Sequence, residues 1–318
     1  MTSFQSSQQH GFRSQVILFV KIILVAAVFY FLYLQVKTNW DDISSYEWEI
    51  ARPAYLLLSF VAAFLSLFLF SSTWNLIVRG FGHRLSLPVA FKISYISNLG
   101  RYLPGKIWQL FGIIYFAKEY GLLPEKATAS FVISQIFMSA SSLLILAIAV
   151  QIEPLIIVDQ IKILGNKFAY MFTAAMLIIS LTIVIWPNRI LSVFNYILKK
   201  LSRPELTFVM EKRVAPVVFA GYCVAWILYG SAFWLLIQSI APQKDLSLIS
   251  AIGIFAGAYQ IGYLVLFAPG GIGPREWIMG QMLMPFLPGI APIIAILSRL
   301  WTIVIDITAM GLSLTVKK

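Results

Sequence analysis

Long unbroken apolar runs set the pattern of this chain. They cover 16–36, 54–78, 127–150, 168–186, 214–240 and 290–314. Each is close to or above the roughly 20 apolar residues that a helix needs to cross a bilayer core. Continuous runs also exclude the alternating strands of a membrane β-barrel. Two further apolar stretches, 86–117 and 246–288, are broken by Pro and Gly. Residues 1–15 are polar, rich in Gln and Ser, and read as a cytoplasmic tail. The run 16–36 is too long for the apolar part of a signal peptide and lacks its small-residue exit, so it reads as a retained anchor. The expected fold is all-α, a polytopic membrane helix bundle forming one domain over 16–318.

Charge placement orients the bundle, because cytoplasmic loops of membrane proteins carry extra Lys and Arg. The loop 37–52 holds Asp41, Asp42, Glu47 and Glu49, whereas 79–92 holds Arg79, Arg84 and Lys92. The long loop expected at 187–213 holds Arg189, Lys199, Lys200, Arg203, Lys212 and Arg213. Both termini and the two basic loops are therefore expected inside a plasma (inner) membrane. One crossing, 127–150, separates the inner loop 79–92 from the acidic outer loop 151–167. The stretch 86–117 must then enter and leave on the inside. By the same count 246–288 must enter and leave on the outside. The expectation is six full spans and two opposed re-entrant hairpins.

The two interrupted stretches resemble each other. One reads Asn98-Leu99-Gly100-Arg101-Tyr102-Leu103-Pro104-Gly105-Lys106-Ile107-Trp108, the other Ala268-Pro269-Gly270-Gly271-Ile272-Gly273-Pro274-Arg275-Glu276-Trp277. Each is a helix, a Pro-Gly break, a cation, then Trp. The halves 16–150 and 168–316 both read as span, span, hairpin, span. That is the pattern of an inverted-topology repeat, with a binding site at matching broken helices near the midplane. Gly100, Pro104, Gly105, Pro269, Gly270, Gly271, Gly273 and Pro274 are the expected hinge and turn residues. Proline lacks an N–H and glycine accepts unusual dihedrals. Gly253 and Gly257, four apart, put a smooth face on the helix that leads into the second turn, for which packing is the expected reason.

Composition narrows the chemistry. The chain is 60% hydrophobic and 12% charged, with one cysteine, two histidines and a net charge of +11. So few Cys and His disfavour a zinc site or a His-based triad, and neither cofactor nor metal is expected. In a chain this apolar the basic excess belongs to cytoplasmic loops, and nucleic acid is not an expected partner. Four cations lie at membrane depth: Arg101, Lys106, Arg275 and Arg299. A charge at the bilayer centre costs about 2.5 kcal/mol or more, so such residues face a cavity. Helix N-termini and guanidinium groups both suit phosphate. Arg101, Lys106 and Arg275 are therefore expected to hold an anionic headgroup. Asp306 shares a helix face with Arg299, two turns away. Glu276 and Asp306 read either as counter-charges to Arg275 and Arg299 or as a proton-coupled carboxylate competing with a substrate phosphate. Trp108 and Trp277 follow the breaks and are candidates to wall the site. Asn98, Gln109, Gln135 and Gln260 line the same cavity or make packing hydrogen bonds.

At these two turns, Gly100 to Lys106 and Ala268 to Glu276, the chain resembles the membrane region of lysylphosphatidylglycerol synthases, a flippase-like family. The span layout agrees over roughly 16–316. The resemblance implies a polytopic inner-membrane domain that moves or handles anionic or isoprenoid-linked lipids. Full synthases carry a soluble aminoacyl-transferase domain after this region. The present sequence stops at Lys318, so lysyl transfer is not expected. Some relatives are encoded with, or fused to, glycosyltransferases of cell-surface polysaccharides.

The leading expectation is a flippase-like protein, not an enzyme. Its partner would be a membrane lipid, either an anionic phospholipid or a polyprenyl phosphate lipid. The alternatives are a non-catalytic membrane partner of a cell-envelope glycosyltransferase, a membrane-embedded lipid-linked sugar transferase, and a solute channel. No Walker-type loop is present to drive movement with ATP.

Overall fold

The computed structural model describes residues 33, 37, 40–46, 50–103, 107–156, 165–200, 213–242, 245–265 and 268–316. Most of the expected anchor 16–36, and the expected site and hinge residues Pro104, Gly105 and Lys106, lie outside them. The regular structure among the described residues is all helical, with no strand. A short helix α1 (Trp40–Ser45) precedes α2 (Pro53–Gly80), α3 (Leu87–Asn98), α4 (Ile107–Lys118) and α5 (Pro124–Ile152). There follow α6 (Gly165–Ile185), α7 (Pro187–Lys200), α8 (Val214–Ile240), α9 (Leu248–Leu264), α10 (Pro274–Leu283) and α11 (Ala291–Leu314). Proline in the first turn opens α2, α3, α5, α10 and α11, where its missing N–H leaves no orphan donor. The Ser247 side chain caps α9 by accepting from the Ser250 N–H at 3.1 Å.

Helices α2, α5, α6, α8 and α11 contain the stretches long and apolar enough to cross a membrane. The interrupted stretches fold differently. Helices α3 and α4 have 12 residues each, α9 has 17 and α10 has 10. At 1.5 Å per residue they reach about 15–25 Å, short of a bilayer core of about 30 Å. A 3₁₀ turn, Leu99–Tyr102, follows α3, and another, Pro269–Gly271, lies between α9 and α10. The arms of each hairpin lie against each other. A Cβ on Gly100 would stand 2.5 Å from the Gln109 backbone nitrogen, and one on Gly262 would stand 2.6 Å from Arg275 Cβ.

The centre of the bundle is the pair α2 and α8, its most extensive helix contact. Small residues on α2, Ser59, Ala63 and Ser66, are fully buried along it. The serine hydroxyls donate to their own helix, Ser59 to Leu56 O at 2.6 Å and Ser66 to Ala63 O at 2.8 Å, so no polar hydrogen is left loose in an apolar seam. Around this pair, α9 lies on α5 and α8, and α10 lies on α9 and α11. Helix α3 lies on α4 and α11, and α4 on α5. The two 3₁₀ turns touch. Gly253 and Gly257 face Ala149 and Leu146 of α5, so the smooth face is a helix-packing face.

One expectation changes. The residues 187–213, read as a loop, begin with helix α7. Its sequence places Arg189, Asn195, Lys199 and Lys200 among apolar positions at helical spacing, the pattern of a helix lying along a membrane surface. A count of basic residues per loop cannot register that periodicity.

Gly230 of α8 supports a close helix approach, since a Cβ there would lie 2.5 Å from the Ile252 Cα of α9. Gly230→Ala should therefore destabilise the protein by about 1–3 kcal/mol. Gly311→Ala, with nothing within 4 Å, should be neutral or add up to about 1 kcal/mol through helix propensity. Thermal unfolding midpoints of the two variants in detergent check the contrast.

Candidate functional site

The two turns bring three arginines to one place. Arg101 lies in the first turn, Arg275 in the first turn of α10, and Arg299 comes from the middle of α11. With Glu276 and Asp306 they are between 2% and 8% exposed. The second turn uses backbone that only glycine adopts readily. Gly270, Gly271 and Gly273 have φ of 58°, 71° and 94°. Pro274 then sits in the first turn of α10, and the Glu276 carboxylate folds back to accept the Gly273 N–H at 2.5 Å. The positive end of this helix is thus covered by its own side chain.

Tyrosine rings link the cations. The Arg275 guanidinium lies over the Tyr259 ring at 4.7 Å and the Phe255 ring at 5.2 Å. Arg101 donates to the Tyr259 hydroxyl. Arg101 and Arg299 each lie 5.2 Å from the Tyr102 ring. The order Arg275, Tyr259, Arg101, Tyr102, Arg299 forms one continuous row. An aromatic face attracts a cation without cancelling its charge.

The carboxylates are shared unevenly. Arg101 forms an ion pair with Asp306. The Tyr102 hydroxyl donates to the same carboxylate at 2.5 Å, and Asn98 Nδ2 donates to its other oxygen at 3.3 Å. Gln109 Nε2 in turn donates to Asn98 Oδ1 at 3.1 Å. Arg299 donates to Gly270 O at 2.9 Å and stands 3.8 Å from Glu276. Arg275 donates to the Thr302 hydroxyl at 3.3 Å. Arg101 Nε, Arg275 Nε, Arg299 Nε and Nη2, and Glu276 Oε1 are buried without a hydrogen-bond partner.

Beside this row lies a cavity of about 100 Å³. Arg101, Asp306, Asn98, Gln109 and Gln135 line it together with tyrosines 95, 222, 229, 259 and 263. A smaller space of about 10 Å³ touches Arg101, Tyr259, Tyr263, Gly270 and Arg275.

Two expected placements change. Asp306 was expected to answer Arg275 or Arg299, but its partner is Arg101. Seven residues along α11 separate Asp306 from Arg299 by about 10 Å, too far for contact, whereas the first turn passes alongside. Trp108 and Trp277 line neither cavity. They are 48% and 41% exposed and face outward. On α4 the helical period turns Gln109 and Ile113 to the cavity and leaves Trp108 with the exposed Phe111 and Tyr115. Gln260 bonds Ser139 at 2.7 Å, which is packing. Missed from the sequence were Tyr102, Tyr259 and Thr302. The spacing of Phe255, Tyr259 and Tyr263, four residues each, is an aromatic stripe on one helix face that could have marked two of the neighbours of the cations.

A helical bundle with five such spans, and two broken hairpins meeting on buried cations, defines a polytopic membrane protein. Within that class the chain belongs to the lysylphosphatidylglycerol synthase TM region family, whose model matches residues 18–309. No curated protein matches the chain.

Removing one member of a buried ion pair leaves the other charge uncompensated, at a cost of about 3–5 kcal/mol. Asp306→Asn should lose stability on that scale. The double variant Arg101→Leu, Asp306→Leu should be less destabilised than the two single leucine variants summed, because each single change strands a charge. A thermal-unfolding double-mutant cycle gives the coupling directly.

Proposed function

We propose that this chain binds and translocates an anionic or polyprenyl-phosphate-linked lipid through a central cationic site, without itself catalysing a reaction. The carrying observation is the convergence of Arg101, Arg275 and Arg299, all buried, where the two turns touch. Such a cluster at membrane depth is costly, and intramembrane cations of this kind mark substrate pathways. Phosphate is the anion a guanidinium grips best, in a two-pronged geometry. The cavity next to Arg101, lined in part by Asn98, Gln109 and Gln135, gives a headgroup somewhere to go.

The packing supports an inverted repeat as the machinery. Exchange α2 with α8, α3 with α9, α4 with α10 and α5 with α11. The neighbours α3 on α11 and α9 on α5 then swap, as do the two hairpins, while the α2–α8 pair and the touching turns map onto themselves. On this reading the hairpins are re-entrant from opposite faces, six spans complete the bundle, and the protein sits in the inner membrane with both termini cytoplasmic. Rocking of one half against the other would expose the cations to each leaflet in turn. A cell-envelope glycosyltransferase is a proposed partner that supplies or uses the lipid.

The test is transport in liposomes with fluorescent phosphatidylglycerol or a polyprenyl phosphate lipid in one leaflet. The wild type should move the label, and Arg275→Ala should slow it by at least about tenfold, the scale of one lost charged hydrogen bond. Equal rates for the two proteins would refute movement through this site. Mass spectrometry of lipid retained by the purified protein identifies the class.

A further inference from the structure

Three guanidinium groups meet two carboxylates in this cluster. Arginine stays protonated in proteins. Among the described residues the formal balance therefore leaves one positive charge over, and Lys106 lies outside them. The other acids of the sequence do not repair it. Glu276 and Asp306 are the only acids within the membrane-depth segments, and residues 104–106 and 266–267 beside the turns contain no acid and one cation, Lys106. The tyrosine and phenylalanine faces stabilise the cations but add no negative charge.

The donors lean the same way. Arg275 is 2% exposed and has an unpartnered Nε beside the small space between the turns. Arg299, 7% exposed, has two unpartnered nitrogens. A buried donor without a partner is expensive. Asp306 is held by Arg101, Tyr102 and Asn98, whereas Glu276 accepts from Gly273 through one oxygen and leaves Oε1, 3.8 Å from Arg299, without a hydrogen bond. Both carboxylates belong to the cluster, and the surplus among its described residues is one charge.

We infer that Glu276 and Asp306 set the valence of the ligand: the cluster takes one negative charge, a phosphodiester, and disfavours a phosphomonoester dianion. This rests on the reading that the cluster holds a lipid headgroup. A dianion would carry one charge that the surplus cannot neutralise, and taking an uncompensated charge out of water into a low-dielectric site is costly. The space of about 10 Å³ is below the size of a phosphate group, so Tyr259 or Tyr263 must shift toward the adjoining chamber as the headgroup enters. The two carboxylates are specificity-determining residues that repel the wrong ligand as well as bracing the arginines.

The test compares two short-chain lipids binding to the purified protein at pH 8. Dioctanoyl phosphatidylglycerol carries a phosphodiester with one charge. Dioctanoyl phosphatidic acid carries a monoester, and phosphomonoesters such as phosphoserine lose their second proton at about pH 6. The wild type should prefer the diester by about tenfold or more, the scale of a single unit charge acting at short range. Glu276→Gln keeps an oxygen for the Gly273 N–H while raising the surplus to two charges, so it should shift the preference toward the monoester. Asp306→Asn makes the same charge change at the other carboxylate and should shift it the same way.

A wild type that prefers the monoester overturns the inference, whatever the variants do. Equal affinities that Glu276→Gln leaves equal, with both lipids weakened by Arg275→Gln, also overturn it while leaving the anion site in place. Binding indifferent to Arg275→Gln removes the site and the inference together. Dimethyl phosphate, the same charged group without chains, separates the sources. No displacement of the lipid at millimolar concentration supports a lipid ligand, and displacement supports the same charge match with a soluble phosphodiester.

Discussion

Burying a guanidinium in a medium that cannot hydrate it costs several kcal/mol, and this chain does so three times at one point. The surrounding architecture follows from containing that cost. The first turn must deliver Arg101 to Asp306, which requires the arms of its hairpin to touch at Gly100. The second turn must bend sharply enough for Arg299 to reach the Gly270 carbonyl, which requires consecutive glycines of positive φ. A Cβ on Gly270 would stand 2.7 Å from Arg299 and 3.2 Å from the Tyr102 ring. The turn is therefore shaped by what packs against it, and the glycines are demanded by both dihedral and contact.

The contacts of Arg101 and Tyr102 with Asp306 and Tyr259, and of Arg299 with the Tyr102 ring, run between the two halves of the chain. Arg101 and Tyr102 belong to the first, while Asp306, Tyr259 and Arg299 belong to the second. An apolar seam can slide by small increments because dispersion is non-directional. A row of charged hydrogen bonds cannot, since each must be replaced as it breaks. Any relative motion of the halves at this point must exchange one set of partners for another. On the proposed function, an incoming phosphate would offer the arginines oxygen acceptors at the moment the native ones are withdrawn. Ligand binding and movement of the halves would then be one event, in which the lipid stabilises the state it needs.

Much of this was legible in the sequence, for definite reasons. Span positions follow from hydropathy alone. The runs 54–78, 127–150, 168–186, 214–240 and 290–314 differ from the helices by at most three residues at either end. The breaks at 86–117 and 246–288 follow from Pro and Gly chemistry. The identities of the buried charges follow from their rarity. Partner assignment did not follow, because it depends on which helices are neighbours. Asp306 and Arg299 share a helix face, but a cross-helix neighbour came closer than two turns of its own helix. The outward direction of Trp108 and Trp277 was hidden because both sit one position from inward-facing residues, where a shift of about 100° decides the face. Helix α7 was hidden inside a charge count that ignored its period.

Tyrosine, rather than more carboxylate, is the main solvent of this cluster, and the choice has a chemical consequence. A third acid would pair the remaining guanidinium and leave a neutral, rigid network with little pull on an anion. An aromatic face lowers the cost of burying the cation yet leaves its field intact in the direction away from the ring. Arg275 shows the arrangement plainly. Two rings lie under its plane, a threonine hydroxyl accepts one edge, and Nε stays without a partner. Tyr259 also walls the adjoining cavity, so a headgroup that displaced it would move a group that was stabilising Arg275 and would have to take over its role. Stabilisation by something that can be displaced is what separates a site that binds and releases from one that only holds the fold together.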